Sequence, residues 1–352
     1  MRRRPRLGSA VIAITVLGLV CALCITHYHD VAAALGSVPA WAIVGAVVLH
    51  VATLVLRSEA WRLTLAAAGG DSLSRSVVHG ANAAAFLAGA LQSQAALPAR
   101  VALLRRLAGD RAPRPGQICV ADVPIFALEL CATSALLIAA VLLAGREPWW
   151  IAPVAFALAL GVLLGARLAP ERFAHRPIVR GLAILGDRRR RGRLVALVAG
   201  VAALTFARVW LILAVCVLPH GLGEVAWVFA ALGIFGLLPL GPGAPPGATV
   251  AAIGAASVGG AVAAGLLLSA SGIIAVLVYA FAVAIAPRLR VLRRLGRRRA
   301  PVALDARAAP CRVVALWDGQ VDMATLDYSS RSTSSVDQPK LRAPSPSPVS
   351  GS

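Results

Sequence analysis

The stretch Leu238-Pro-Leu-Gly-Pro-Gly-Ala-Pro-Pro-Gly247 lies between two apolar segments and decides how the C-terminal half of the chain is interpreted. Its four prolines and three glycines cannot form a continuous helix, because proline lacks a backbone donor and clashes with the preceding turn. Within a bilayer, such backbone is tolerated only where protein or a water-filled cavity satisfies its polar groups. Transporters often place binding sites where two half-helices meet. We therefore predict that Pro239, Gly241, Pro242 and Gly243 line a polar site inside a membrane.

The composition is that of a polytopic membrane protein. Hydrophobic residues make up 59% of the chain, and several apolar runs approach the roughly 20 residues that cross a bilayer. The net charge of +20 comes from arginines between these runs, as in topology determinants, and therefore indicates no nucleic-acid partner. The six cysteines have neither disulfide-framework nor metal-ligand spacing, so no metal or cofactor is expected.

Hydropathy predicts six full spans and two apolar segments, 77–97 and 225–257, that do not fit as simple crossings. The spans are predicted at 8–26, 38–56, 118–143, 150–168, 194–218 and 260–286. The first 26 residues also allow a second interpretation, as a cleaved signal peptide.

The segment 77–97 is predicted to be a re-entrant helical hairpin that enters from the cytoplasm. Arginine-rich segments flank it on both sides, and a full crossing would place one of them outside, against the positive-inside rule. With a hairpin here, all basic residues except Arg146 and Arg208 lie on the cytoplasmic side or in the tail. Both termini are then cytoplasmic, in a protein of the cell membrane.

The segment 225–257 is predicted to be a second re-entrant hairpin, because its apolar pieces on either side of the Pro/Gly turn are each too short to cross. The predicted fold is thus all-α, with two halves of the order span, span, hairpin, span in an inverted repeat. Residues 1–287 form the membrane domain. Residues 288–352 form a basic, then Ser/Pro-rich, mostly disordered tail.

Three segments resemble the marker regions of the lysylphosphatidylglycerol synthase transmembrane (flippase-like) family. They are Arg57-Ser-Glu-Ala-Trp61-Arg62, Leu97-Pro98-Ala-Arg100 followed by Arg105, and Leu238-Pro239 with Pro242-Gly243. The resemblance covers about residues 8–288 and implies an integral membrane protein that moves a phospholipid between leaflets. It does not extend to the soluble aminoacyl-transferase domain of the full synthases. Two departures are Val101-Ala102 in place of the family's glycine, and Gly247-Ala-Thr-Val250 in place of its Gly-x-x-Glu.

Ionisable residues within the apolar spans are the next candidates for a site. Asp122 and Glu129 are seven residues apart, which places them on nearly the same face of a helix. Arg208 lies at a similar depth in another span, and an unpaired charge inside a membrane is costly. We predict an ion pair between Glu129 and Arg208. Such a pair either stabilises the helix packing or takes part in headgroup binding or proton coupling.

Polar side chains on the first hairpin have two interpretations. Asn82, Gln92 and Gln94 either line a polar cavity or bond neighbouring helices to one another. His50 and His79 lie near predicted interfaces, where we expect them to snorkel or to cap helices.

A group of arginines near the first hairpin could hold anionic phosphates, since the guanidinium fork matches phosphate geometry. The alternative is a purely topological role with general attraction to anionic lipid. The residues concerned are Arg57, Arg62, Arg100 and Arg105, beside Trp61 and Pro98.

The sequence contains no catalytic constellation, which disfavours an enzyme. We expect a protein that binds or translocates an anionic phospholipid or a polyprenyl-phosphate lipid. The alternative is a non-transporting scaffold whose basic loops and tail recruit a cell-envelope enzyme. A membrane-embedded lipid transferase is a third possibility.

Overall fold

The fold is taken from a computed structural model, which describes residues 7–70, 73–144, 187–236, 241–254 and 256–298, with isolated positions between 153 and 185. The described residues belong to one compact unit, residues 1–300, and contain eleven α-helices and no strand. The helices are α1 Leu7–Thr26, α2 Tyr28–Gly36, α3 Ala40–Leu65, α4 Arg75–Leu91, α5 Ala96–Ala108, α6 Pro115–Val120, α7 Val123–Ala144, α8 Arg188–Val215, α9 Leu222–Gly236, α10 Ala244–Ile253 and α11 Val258–Arg298. The predicted span at 150–168, Pro239 and most of the predicted tail lie outside the described residues.

Four helical segments of the described part are long and apolar enough to cross a membrane: Ala40–Gly69, Pro115–Ala139, Arg188–Val215 and Val258–Ala286. Large apolar side chains are also exposed on the outer faces of these helices, as Phe281 of α11 is at 68%. Exposed apolar surface of this extent is typical of contact with lipid. The predicted class, an all-α membrane protein, is therefore confirmed.

Five of the six predicted spans fall on described residues, and four of these, 38–56, 118–143, 194–218 and 260–286, overlap the four segments. The four segments become five if α1 and α2, which are bent by 83° to one another, form one broken span. The segment 27–37, which lies between the first two predicted spans, contains the helix α2. Val31 of α2 is buried against Val262 and Ala263 of α11, and this packing accounts for the helix.

Two helices extend beyond their predicted ends. α3 continues past residue 56 to Leu65, because the charged side chains of its last turns have partners and do not end the helix. It is followed by the π-helical turn Ala66–Gly70, in which Gly69 has a φ of +104°, a left-handed value that favours glycine. α11 continues through Pro287 to Arg298, so the predicted tail begins as helix.

The first of the two segments that did not fit as simple crossings, 77–97, forms a helical hairpin whose second arm extends to Ala108, beyond the predicted end. α4 and α5 pack against each other, and the short 3₁₀ turn Ser93–Ala95 joins them. A Cβ added at Gly89 would lie 3.2 Å from the Cβ of Ala96, so the two arms are in close contact at the tip. The second arm, α5, therefore contains residues that the sequence assigned to a cytoplasmic loop.

The second of these segments, 225–257, also forms two short packed helices, α9 and α10, as the Pro/Gly stretch predicts. A Cβ added at Gly247 of α10 would lie 2.8 Å from Cε1 of Phe235 of α9. The 3₁₀ turn Gly241–Gly243 precedes α10. It is tied to α11 by the Ser269 hydroxyl, which donates to the Pro242 carbonyl at 2.8 Å.

The segment predicted as one span at 118–143 is broken into α6 and α7. Asp122 lies at the break, between Val120 and Val123. Pro124 occupies the first turn of α7, where its missing N–H costs nothing because that donor would be unpaired in any case. The Asp122 side chain therefore projects from the junction of α6 and α7 and not from the side of a continuous helix.

Neighbouring side chains give the directions of the three central helices. Gly45 and Leu56 of α3 lie next to Leu211 and Gly200 of α8, so these two helices are antiparallel. Ser58 of α3 contacts Tyr279 of α11, and α3 and α11 are parallel. The arginine-rich ends of α3, α8 and α11 consequently lie at one end of the bundle.

Candidate functional site

A cavity of about 400 Å³ lies where the tips of the two hairpins meet α3, α8 and α11. The first hairpin contributes Ser93 and Ala96, and the second contributes Pro242 and Pro245. Three arginines from three different elements line the same cavity: Arg57 of α3, Arg100 of α5 and Arg208 of α8. The remaining lining residues are His50, Thr53, Leu54, Ala85, Phe86, Gly89, Ala90, Leu268, Ser269, Gly272, Ile273 and Val276.

The partners of Arg208 within the described residues are neutral groups. Its guanidinium donates to Nδ1 of His50 at 3.0 Å, to the Ser271 hydroxyl at 2.8 Å and to the Leu268 carbonyl. Arg208 is only 7% exposed, and no carboxylate of the described residues lies within ion-pair distance of it. Arg208 thus brings a buried positive charge, without a counter-charge from the described chain, to the cavity wall.

His50 and Gly272 shape the position of the Arg208 guanidinium. Guanidinium nitrogens only donate, so Nδ1 of His50 accepts and His50 is neutral, with its proton on Nε2. A Cβ added at Gly272 would lie 3.3 Å from Nη2 of Arg208, tighter than most packing contacts. The glycine leaves the room that the guanidinium occupies.

The other two cavity arginines have carboxylate partners. Nη2 of Arg57 donates to Oε2 of Glu129 at 2.9 Å. Nη1 of Arg100 lies 2.7 Å from both oxygens of Asp122, and its guanidinium stacks over Trp61 with Cζ 4.8 Å from the ring centroid. These contacts connect α3 to α7 through Glu129, and the first hairpin to the α6–α7 break through Asp122.

The predicted pair between Glu129 and Arg208 is wrong. α3 continues as a helix past residue 56, so Arg57 lies in the bundle at the level of Glu129 and pairs with it. His50, which contacts Arg208, lies seven residues before Arg57, or about 10 Å along the helix. Arg208 is therefore displaced by about this distance towards the opposite end of the bundle from Glu129. The prediction that Asp122 and Glu129 face the same side is consistent with their arginine partners, both of which line the cavity.

Several other predicted site residues do not line the cavity. Gln92, Gln94, Pro98 and Arg105 are exposed. Asn82 is buried at 1% exposure on the α4 face that also carries Ala85 and Phe86, and both polar atoms of its amide lack a hydrogen-bond partner within the described structure.

The remaining predicted site residues lie near the cavity or, in the case of Arg62, beside Glu59. Trp61 lies beneath Arg100, and Arg62 pairs with Glu59 at 2.9 Å instead of facing the cavity. Of the Pro/Gly turn, Pro242 lines the cavity while Gly241 and Gly243 only form the turn.

The prediction that His50 and His79 snorkel or cap helices is wrong, because both bond side chains of other residues between the helices. His50 bonds Arg208, and His79 is buried at 9% exposure between Glu59 and Tyr279. The signal that could have identified them is a polar residue inside an otherwise apolar helix, and Tyr279 in the long apolar run of α11 is another such residue. Ser93, Ser271 and Gly272 carry no comparable signal.

A second cavity of about 480 Å³ lies beside the first hairpin, between α4, α5 and α11. Its lining is apolar except for Ser76 and includes Leu87, Leu103, Leu107 and Val283. A groove of this composition suits a hydrocarbon chain and offers nothing to a charged group.

No group of three or more His, Cys, Asp or Glu side chains that could hold a metal ion occurs within the described ranges. Neither the protein-family models nor the curated proteins with which the chain was compared give a match to it.

Proposed function

We propose that the protein binds the anionic headgroup of a membrane lipid in the cavity between the two hairpins and moves that headgroup between leaflets. The observation that carries this proposal is Arg208. A buried guanidinium without a carboxylate partner in the described structure is costly in a membrane unless it meets an anion. Phosphate is the anion that membrane lipids supply, and its geometry suits the guanidinium fork.

The local charge supports an anionic ligand. Three arginines and two carboxylates, Glu129 and Asp122, leave one positive charge in excess at the cavity. That excess lies on Arg208, the arginine without an acidic partner among the described residues. A singly charged phosphodiester headgroup would balance it, and the acyl chains would stay in lipid or in the apolar groove beside α4.

The arrangement of the arginines supports movement through the site. Arg62 lies at the basic end of α3, Arg57 lies at the cavity beside Glu129, and Arg208 lies about 10 Å further along, next to His50. A headgroup could pass from one guanidinium to the next over this distance. Its polar atoms would stay in contact with protein throughout.

The topology supports the same proposal. We infer that both hairpins are re-entrant and that they belong to inverted halves, since α3 and α8 occupy equivalent places in the element order and run in opposite directions. The end of the bundle that carries the arginine-rich helix termini is the cytoplasmic one. The proposal agrees with the resemblance to the flippase-like family. On this proposal the protein resides in the cell membrane.

The test is translocation of fluorescent phosphatidylglycerol in proteoliposomes, measured as bleaching of inner-leaflet label by an impermeant reductant. The intact protein should raise the bleached fraction above that of empty liposomes. Arg208→Gln should lower the rate by about tenfold or more, the effect of losing a charge-assisted contact. Arg193→Gln is the matched control, since Arg193 is an exposed residue of the same helix outside the cavity.

The outcomes separate the proposal from its alternatives. A folded Arg208→Gln variant that translocates as fast as the intact protein would exclude the assigned path. Rates equal to empty liposomes for the intact protein, with phosphatidylglycerol and with a polyprenyl phosphate, would instead favour the scaffold that recruits an envelope enzyme.

A further inference from the structure

A continuous chain of hydrogen-bonded side chains lies next to the cavity but does not line it. Glu59 Oε1 lies 2.7 Å from Nε2 of His79, Nδ1 of His79 lies 2.8 Å from the Tyr279 hydroxyl, and that hydroxyl lies 2.8 Å from the Ser58 hydroxyl. The four residues come from α3, α4 and α11. The chain therefore joins the first arm of the hairpin to two of the central helices.

The chain leads from the basic end of the bundle into its core. The side chain of Glu59 is 13% exposed, and its two arginine partners, Arg62 and Arg75, are 41% and 64% exposed. In the other direction Tyr279 is 3% exposed and Ser58 is fully buried. A proton from the aqueous side can thus reach Glu59 and His79, while the hydroxyl groups beyond them are shielded.

His79 can bind a proton without any loss of hydrogen bonds. When neutral with its proton on Nε2, His79 donates to Glu59 and accepts from Tyr279, whose hydroxyl accepts from Ser58. When protonated, both ring nitrogens donate, and Tyr279 must accept from His79 and donate to Ser58. In both arrangements every hydrogen bond of the four side chains is made. Protonation of His79 therefore reverses the direction of the bonds from His79 to Tyr279 and from Tyr279 to Ser58.

The proton changes the strength of the contact between α4 and α3. An imidazolium makes a charge-assisted hydrogen bond to the Glu59 carboxylate, which is about twice as strong as a neutral one. Arg62 and Arg75 also face Glu59 and oppose the imidazolium charge. Their large exposed fractions mean that solvent screens them more than it screens Glu59.

The chain is one helical turn from the headgroup cavity. Leu54 and Arg57 of α3 and Val276 of α11 line the cavity and lie within one turn of Ser58 and Tyr279. Phe86 of α4 lines it too, and the Phe86 ring centroid is 5.8 Å from that of Tyr279. A change in how α4 packs against α3 and α11 therefore changes the wall of the cavity.

We propose that Glu59, His79, Tyr279 and Ser58 form a proton-binding lock, in which protonation of His79 holds the first hairpin against α3 and α11 and slows lipid movement. This inference rests on the proposed function, since lipid movement is what the lock restrains. Histidine suits the role because imidazole changes its charge in the physiological pH range.

The test has two independent readouts, each measured at pH 6 and pH 8. In proteoliposomes, translocation of phosphatidylglycerol by the intact protein should be about fivefold slower at pH 6, the ratio that corresponds to about 1 kcal/mol. His79→Gln keeps a donor and an acceptor but cannot take the charge, and its rate should be the same at both pH values. His29→Gln, which replaces an exposed histidine of α2, should behave as the intact protein.

Thermal unfolding of the same proteins in detergent gives a readout that needs no transport. The charge-assisted bond between the His79 imidazolium and the Glu59 carboxylate exists only in the folded protein, so this bond should add to the stability of the fold in acid. The unfolding temperature should therefore fall from pH 6 to pH 8 by more in His29→Gln than in His79→Gln. Tyr279→Phe should keep this unfolding difference, because Glu59 and His79 remain, but should lose the pH dependence of translocation.

Equal unfolding shifts in His79→Gln and His29→Gln would overturn the lock, whatever the protein transports. An unchanged pH dependence of translocation in His79→Gln would overturn it as well. If the unfolding shifts differ as expected but no lipid moves at either pH, the proton site stands and the proposed function fails.

Discussion

The guanidinium of Arg208 donates to Nδ1 of His50 across 3.0 Å, and this contact joins α8 to α3 at the wall of the cavity. Because arginine only donates, the imidazole serves as a neutral acceptor that orients the fork without reducing its charge. The positive charge remains available to a ligand. A carboxylate in place of His50 would neutralise the charge that distinguishes this cavity.

Replacement of His50 tests whether its acceptor atom orients Arg208. His50→Leu removes the acceptor, and we expect binding of anionic lipid to weaken by about fivefold, the effect of about 1 kcal/mol. His50→Gln keeps a carbonyl acceptor and should retain most of the affinity. The measurement is titration of fluorescent phosphatidylglycerol into the purified protein in detergent. Equal losses in the two variants would show that the acceptor is not what matters.

Replacement of Gly272 tests whether the Arg208 guanidinium needs the space that this glycine leaves. In Gly272→Ala the new methyl group would lie 3.3 Å from Nη2 of Arg208, so the fork must shift and lipid binding should weaken. The comparison is Gly192→Ala, at a glycine of α8 with no atom within 4 Å of the added Cβ. Alanine favours a helix over glycine by up to about 1 kcal/mol at either position, so neither variant should lose stability through its backbone. Unchanged lipid affinity in Gly272→Ala would indicate that Arg208 is not held tightly.

The sequence predicted the kind of fold because composition and Pro/Gly placement act locally. The Pro/Gly stretch predicted the pair of short helices at 225–257 to within a few residues of their bounds, whereas the hairpin predicted at 77–97 extends to Ala108. The partner of Glu129 could not be found in this way. Hydropathy ended the second span at residue 56, and only the folded structure shows that Arg57 remains helical and pairs with Glu129.

The chain from Glu59 to Ser58 illustrates the same limit. Ser58 and Tyr279, its most distant members, are 221 residues apart, and their contact depends on α3 and α11 lying parallel and in one particular register. Residue spacing along one segment carries no information on that register. A polar residue in an apolar helix, such as Tyr279, indicates that a partner exists but does not identify it.

The two ion pairs at the cavity should differ in strength. The side chains of Arg57 and Glu129 are 45% and 23% exposed, and a double-mutant cycle with Arg57→Gln and Glu129→Gln should give a coupling of about 0.5 to 1 kcal/mol. The side chains of Arg100 and Asp122 are 11% and 37% exposed, and Nη1 of Arg100 is bonded to both oxygens of Asp122. The cycle for that pair should give about 1.5 to 3 kcal/mol. Both are measured by reversible unfolding in mixed detergent micelles.

The order of these two couplings is the decisive result. If the Arg57 and Glu129 coupling exceeded that of Arg100 and Asp122, exposure would not control the strength of the pairs. The contacts from α5 to the α6–α7 break would then contribute less to holding the first hairpin than the contacts from α3.

Gly265 of α11 tests whether the second hairpin is fixed to the helix behind it. A Cβ added there would lie 2.3 Å from Cα and 2.6 Å from N of Pro246, which are backbone atoms that cannot rotate away. Gly265→Ala must therefore push α10 from α11, at a cost of about 1 to 3 kcal/mol, and should lower the unfolding temperature relative to Gly192→Ala. Because Pro245 lines the cavity beside Arg208, the same displacement should weaken lipid binding. A variant with reduced stability but unchanged lipid affinity would show that the ligand contacts α3 and α8 without the second hairpin, and would remove the Pro/Gly turn from the site.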